Sequence, residues 1–242
     1  MNWFFPRPMG LKFFLAFILF LLVQLFWPML VFAPTHTPQF SSKVVVIDAG
    51  HGGEDPGTIH GSIYEKDINL AVALRLEKIL LAQDVQVVMT RRTDIDYIVH
   101  RRLRGEKTRK QSDLDRRLEI ANEHGADLLI SLHVNCWRKY QAGAEVFYNP
   151  QSDRSALLAQ WIQQELRQIP GMTKRIAKAG DYYLIIQADM PAVIVEMGYL
   201  SSPKERQLLL TPTYQEQLAQ AIAAGIVRYL REGETQFPNP DV

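Results

Sequence analysis

From residue 43 onward, short apolar runs alternate with longer stretches in which apolar residues recur every three or four positions. The short runs predict strands over residues 43–48, 85–90, 128–134, 144–148 and 192–195. The periodic stretches predict helices over residues 67–81, 112–124, 152–168, 203–210 and 214–231. Asp67 and the pair Ser112 and Asp115 are the expected N-terminal caps of the first two helices. This alternation predicts an α/β domain with a mostly parallel sheet, in which ligands bind beyond the carboxyl ends of the strands.

The N-terminal segment has a different pattern. Residues 11–32 are almost unbroken apolar sequence, long enough to cross a bilayer. Arg7 and Lys12 precede most of the segment, so the positive-inside rule leaves the N-terminus in the cytoplasm and the rest of the chain extracytoplasmic. A cleaved signal peptide is the alternative, with Ala33 as the small residue before the cut. The pattern favours a membrane anchor formed by an N-terminal transmembrane helix.

Four regions follow from these patterns. We predict an anchor or signal segment over residues 1–33, a polar linker over 34–42, one main domain over 43–232 and a flexible tail over 233–242. The 242 residues are 47% hydrophobic and 22% charged, which argues against disorder or a coiled coil. The formal net charge of +1 gives no reason to expect a nucleic-acid partner. Cys136 is the only cysteine, so the chain has no intramolecular disulfide.

Three polar residues near the ends of predicted strands are candidate metal ligands. His51 follows the first strand in a glycine-rich loop, His133 closes the third, and Glu65 precedes the first helix. A catalytic zinc commonly takes three protein ligands and keeps one position for water. Strand-end histidines are often structural residues held by hydrogen bonds instead, and the spacing alone leaves both interpretations open.

Glu196 ends an otherwise apolar run, where a carboxylate costs free energy unless it is paired or functional. It is therefore a candidate for general acid/base catalysis, with a structural role as the alternative. The remaining histidines lie in polar or basic segments or at a predicted helix end, and we assign them to solvent or helix capping: His36, His60, His100 and His124. No histidine and asparagine that could partner Cys136 in catalysis are apparent in the sequence, so this cysteine is interpreted as incidental.

Four motifs resemble those of the zinc-dependent N-acetylmuramoyl-L-alanine amidases of bacterial cell walls (amidase type 3). They are VIDAGHGG at residues 46–53, EKD at 65–67, SLHVN at 131–135 and VEMGYLS at 195–201. The resemblance covers the chain from Lys43 to Arg231, and it departs from the usual family pattern at Ala49, where proline is common. It implies a single three-layer α/β domain with about six strands, zinc (Zn²⁺) bound by His51, Glu65 and His133, and Glu196 as the catalytic glutamate.

The resemblance also implies a reaction. Peptidoglycan would be hydrolysed between the lactyl group of N-acetylmuramic acid and L-alanine of the stem peptide. The anchor, the single domain and the basic run Arg101 to Arg117 are most similar to the spore-cortex amidases involved in muramic δ-lactam formation. A zinc peptidase acting within the stem peptide, a non-catalytic wall-binding protein and a general cell-separation amidase remain as alternatives, and an activator protein is left open.

Two other surfaces have alternative interpretations. The basic run Arg101 to Arg117 is expected to be a solvated loop and helix face, with contact to anionic wall polymer or membrane as the alternative. Three tyrosines could line a sugar or peptide groove, although aromatic residues are also common in the core: Tyr182, Tyr183 and Tyr199.

Overall fold

The computed structural model describes residues 14–24, 39–97, 109–136 and 141–236, within two units, Met1–Pro38 and Gln39–Val242. In the first unit, residues 14–24 form a helix with exposed apolar side chains. None of the helices in the described ranges is both long and apolar enough to cross a membrane. The anchor predicted over residues 11–32 lies partly outside the described residues.

The second unit is built on a six-stranded sheet. Its strands are β1 Val44–Ala49, β4 Gln86–Met89, β5 Leu128–Asn135, β6 Glu145–Tyr148, β7 Lys178–Ala179 and β8 Ala192–Tyr199. They lie in the order β4-β1-β5-β8-β6-β7. β6 pairs antiparallel with β8, and every other pairing in this sheet is parallel. A separate two-stranded hairpin contains β2 Ile59–His60 and β3 Ile63–Tyr64. The mostly parallel sheet of about six strands is thus confirmed.

Helices cover both faces of the sheet. They are α1 Glu65–Leu81, α2 Arg109–Glu123, α3 Asp153–Leu166, α4 Tyr183–Gln187, α5 Pro203–Leu209 and α6 Pro212–Gln236. Val45 and Ile47 of β1 point into a large core shared with α1, α3 and α6, whereas Val46 points into a smaller core shared with α2 and α4. Because side chains alternate along a strand, this arrangement gives the predicted three-layer architecture.

Several predicted boundaries were wrong. α1 begins at Glu65 rather than Asp67, and the side chain of its N-cap residue, Tyr64, makes no capping hydrogen bond. The chain is already helical at Arg109, so Ser112 lies inside α2 and is not its cap. β8 continues to Tyr199, where it still pairs with β5, and all eight of its residues are buried. α6 runs to Gln236, five residues past its predicted end at Arg231, and so enters the predicted tail.

Candidate metal centre and cleft

His51 lies just beyond β1, on a loop whose backbone turns sharply. Its φ of 62° is in the left-handed region, which a residue with a side chain rarely adopts. This conformation directs Nδ1 to within 2.7 Å of Oδ2 of Asp55, while Nε2 lies 3.1 Å from Oε1 of Glu65. One ring nitrogen is therefore held by a carboxylate, and the other faces the centre of the cluster.

Glu65 is buried in the first turn of α1, and both of its oxygens have defined partners. Oε2 accepts a hydrogen bond of 2.8 Å from the backbone N–H of Thr58. Oε1 accepts one of 3.1 Å from the backbone N–H of Val134 and lies 3.0 Å from Nδ1 of His133. The first turn of α1 thus presents this carboxylate to two residues of β5.

His133 lies on β5, on the face of the sheet covered by α2 and α4. The absence of a side chain at Gly50 makes room for its ring, because a Cβ there would lie 2.3 Å from the imidazole Cε1. The rings of His51 and His133 are 4.9 Å apart and nearly perpendicular. One ligand atom each from His51, Glu65 and His133 lies within 4.8 Å of the other two.

The three predicted ligands form a strongly coupled electrostatic cluster. Burial opposes ionisation of Glu65, but the hydrogen bonds and charges of His133 and His51 hold its pKa well below the usual range. Burial lowers the pKa of His51, yet Asp55 and Glu65 outweigh it and raise the pKa to about 9. The cluster therefore concentrates negative charge around imidazole nitrogens, an environment that favours a bound cation.

Glu196 lies beside this cluster, because it is directly opposite His133 in the parallel pairing of β5 and β8. The side chain is buried, and among the described residues its Oε2 has no hydrogen-bond partner. Burial raises the pKa of Glu196 to about 7, partly offset by the nearby His133. A carboxyl group with this pKa can both accept and donate a proton near neutral pH.

An open cleft of about 740 Å³ contains all four predicted residues. Its lining also includes Lys110 in the first part of α2, and Tyr182 and Tyr183 at the start of α4. Cys136 is exposed and also lines the cleft. Tyr199, by contrast, is buried and its hydroxyl lies 3.4 Å from Oε2 of Glu145. Two of the three tyrosines thus face the cleft, and the third belongs to the core.

The other predictions have mixed outcomes. Nδ1 of His124 is 2.8 Å from the carbonyl of Ile120, which matches the predicted capping role, and His60 is exposed in β2. His36 and His100 lie outside the described residues. Most of the basic run expected to form a solvated face, residues 101–108, lies outside the described residues. Among the described part, Arg117 is buried, contrary to that expectation, whereas Arg116 forms exposed ion pairs with Glu119 and Glu123.

The sequence reasoning missed the residues that support the ligands. Asp55 holds His51, and Asn69 donates hydrogen bonds from Nδ2 to the carbonyl of Gly50 at 3.1 Å and to Oε1 of Glu65 at 3.4 Å. The spacing of Asn69 could have predicted its role, because it lies four residues after Glu65 and therefore on the same face of α1. Asp55 follows His51 by four residues in a loop, where spacing carries no such information.

The sequence of this chain is similar to those of a described protein family. The model of the N-acetylmuramoyl-L-alanine amidase family matches residues 45–228. The germination-specific N-acetylmuramoyl-L-alanine amidase of Bacillus subtilis (strain 168) is 36% identical over 194 residues, which cover 79% of this chain and 81% of that protein.

Two solved structures have similar folds. The CwlD amidase from Clostridioides difficile, solved in complex with the GerS lipoprotein, superposes with a TM-score of 0.72 at 35% identity, covering 78% of this chain and 98% of that one. The catalytic domain of CwlV, an N-acetylmuramoyl-L-alanine amidase from Bacillus (Paenibacillus) polymyxa var. colistinus, gives 0.68 at 34% identity, covering 78% and 98%.

Proposed function

The chain belongs to the N-acetylmuramoyl-L-alanine amidase family, and we propose that it hydrolyses its substrate with a zinc ion held by His51, Glu65 and His133. As a member of this family it acts on peptidoglycan, cleaving the amide between the lactyl group of N-acetylmuramic acid and L-alanine of the stem peptide. The observation that carries the zinc proposal is the meeting of three ligand atoms within 4.8 Å, beside Glu196 and inside one cleft.

The donor set supports zinc in particular. Two imidazoles and one carboxylate are a common ligand set of catalytic zinc, which leaves a fourth coordination position for water or substrate. Asp55 orients His51 from behind, as carboxylates do for many metal-bound histidines. A zinc ion bound there would supply Lewis acidity, which polarises a carbonyl group and acidifies water.

We propose Glu196 as the general base and acid. Its buried carboxylate takes a proton from the attacking water and then delivers that proton to the leaving nitrogen of L-alanine, so one group serves both transfers. The location opposite His133, the absence of a hydrogen-bond partner for Oε2 among the described residues and the pKa of about 7 support this role. We propose that Tyr182 and Tyr183, which line the cleft, contact the glycan or the stem peptide.

We propose cortex peptidoglycan as the substrate in the cell, in the pathway that forms muramic δ-lactam. The germination-specific amidase of Bacillus subtilis and the CwlD amidase support this choice by their similarity. The latter was solved with a lipoprotein, which supports a protein partner here as well. We further propose that the apolar segment over residues 11–32 anchors the enzyme in the membrane, with the catalytic domain extracytoplasmic.

Digestion of purified cortex and vegetative peptidoglycan tests the reaction. The chain is expected to release stem peptides that begin with L-alanine, detected by mass spectrometry, to lose activity with a chelator and to regain it with zinc. New free amines within the stem peptide would identify a zinc peptidase instead. Tight peptidoglycan binding without any product, unchanged by Glu196→Gln, would identify a wall-binding protein. Equal rates on the two substrates would contradict the cortex assignment.

A further inference from the structure

The carbonyls of three consecutive residues at the end of β1 all accept hydrogen bonds from buried guanidinium groups. Arg91 donates from Nε to the carbonyl of Ala49 at 2.8 Å and from Nη2 to that of Gly50 at 3.1 Å. Arg117 donates from Nη1 to the carbonyl of Ala49 and from Nη2 to that of His51, both at 3.0 Å. Both arginines are at most 2% exposed. The backbone that carries the first proposed ligand is thus held from two sides.

Arg117 is itself fixed by two acidic side chains. Its Nη1 donates to Oδ1 of Asp48 at 2.6 Å, and its Nε donates to Oδ2 of Asp113 at 2.7 Å. Asp48 also accepts hydrogen bonds from the hydroxyls of Thr90 and Ser131, at 2.7 and 2.6 Å. Because buried charges need partners on all sides, this network gives the guanidinium one position and one orientation.

Arg91 connects the loop of His51 to the helix that carries Glu65. Its Nη2 also donates to the carbonyl of Lys66 at 2.8 Å, and its Nη1 donates to that of Thr93 at 3.1 Å. Lys66 directly follows Glu65 at the start of α1. One guanidinium therefore fixes the relative positions of the two elements that present His51 and Glu65.

We propose that Arg91 and Arg117 are positioning residues that set the metal affinity of the site by holding the loop of His51. The loop needs such support, because the left-handed conformation of His51 is unfavourable for a residue with a side chain. Lysine cannot replace either arginine, since one ammonium group cannot reach the separate carbonyls that the planar guanidinium spans. This inference rests on the proposed metal site of His51, Glu65 and His133.

The test measures zinc affinity in Arg91→Lys and Arg117→Lys. Arg92→Lys and Arg116→Lys are matched controls, since each changes the neighbouring arginine, whose side chain is 59% and 39% exposed, respectively, and paired with glutamate. Zinc dissociation constants of the full chain are obtained by competition with a fluorescent chelator, and the melting temperature of each metal-free protein is recorded. We expect the affinity to fall by about 10 to 100-fold in the first pair. The controls should stay within about threefold of the unchanged chain.

Each outcome decides the proposal. Unchanged zinc affinity in both lysine variants, with or without a lower melting temperature, would show that the arginines only stabilise the fold. Failure of both variants to fold would overturn the assignment in the same way. The absorption spectrum of the cobalt-substituted proteins should also change, because a displaced His51 alters the ligand field. If the unchanged chain binds no zinc, the proposed metal site itself is wrong, which separates that failure from the failure of this inference.

Discussion

Oδ2 of Asp55 lies 2.7 Å from Nδ1 of His51, on the side of the imidazole ring that faces away from Glu65. The hydrogen bond and charge of His51 lower the pKa of Asp55 to about 2, so this carboxylate is ionised throughout the physiological range. An ionised acceptor keeps a proton on Nδ1 of His51, so Nε2 is the nitrogen that would exchange its proton for a metal.

Replacement of this acceptor should weaken the metal site without removing a ligand. We expect Asp55→Asn to lower the zinc affinity by about 10 to 100-fold, because an amide neither carries the charge nor fixes the tautomer. Asp189→Asn changes an exposed aspartate and serves as the control. Calorimetric titration of the metal-free proteins measures the effect, and equal affinities in the two variants would contradict the role of Asp55.

A second prediction concerns the space that Gly50 leaves for His133. In Gly50→Ala, the new Cβ would lie within 2.4 Å of two imidazole atoms, so the ring of His133 must leave its position in the cluster. We expect loss of stoichiometric zinc, measured by atomic emission. Gly61→Ala is the control, since a Cβ there meets nothing within 4 Å, although its positive φ costs about 1 kcal/mol. Full zinc content in Gly50→Ala would show that this contact does not matter.

The sequence predicted the central strands because burial on both faces requires nearly continuous apolar runs. β1, β5 and β8 are such strands, and the proposed ligands His51 and His133 follow or end two of these runs. The hairpin of β2 and β3 and the edge strand β7 were not predicted. Each of these strands has only two residues, which is too short for any periodicity.

The supporting residues could not be predicted for a different reason. Arg117 and Asp48 are 69 positions apart, and only the packing of α2 against the sheet brings them within 2.6 Å. In the sequence Arg117 ends a basic run, where exposure is the ordinary expectation. The sequence alone does not distinguish a buried arginine from an exposed one in such a run, because burial depends on a partner that is distant in the chain.

The buried pair of Asp48 and Arg117 should make stability depend on pH. Burial disfavours the charge of Asp48, but Arg117 and Ser131 outweigh it and lower the pKa from 3.8 to about 2. Because the pKa is lower in the folded state, the stabilisation is complete above pH 3.8 and is lost as the pH falls towards 2. The pH-dependent contribution of Asp48 to the free energy of unfolding amounts to about 2 kcal/mol.

Urea unfolding of the unchanged chain and of Asp48→Asn between pH 5 and pH 2 measures this contribution. A chelator is present throughout, so that release of metal does not affect the comparison. We expect the difference in unfolding free energy between the two proteins to shrink as the pH falls. Asp153→Asn, at an exposed position, is the control. A difference that stays constant over this range would show that Asp48 is not stabilised in its charged form.

The roles of Glu196 and His133 can be separated, although the two residues are direct neighbours in the sheet. Glu196→Gln is nearly isosteric and removes proton transfer, so we expect it to keep stoichiometric zinc and to lose about 10² to 10⁴-fold in turnover. His133→Ala removes a proposed ligand and should lose zinc together with activity.

Amidase assays on peptidoglycan and atomic emission on the same samples distinguish these two effects, with Glu216→Gln as a control at a partly exposed glutamate. Stoichiometric zinc in His133→Ala would refute the ligand assignment. Turnover in Glu196→Gln close to that of the control would refute the assignment of the base. Zinc loss in Glu196→Gln would instead make Glu196 part of the metal site, because proton transfer alone gives no reason for the affinity to change.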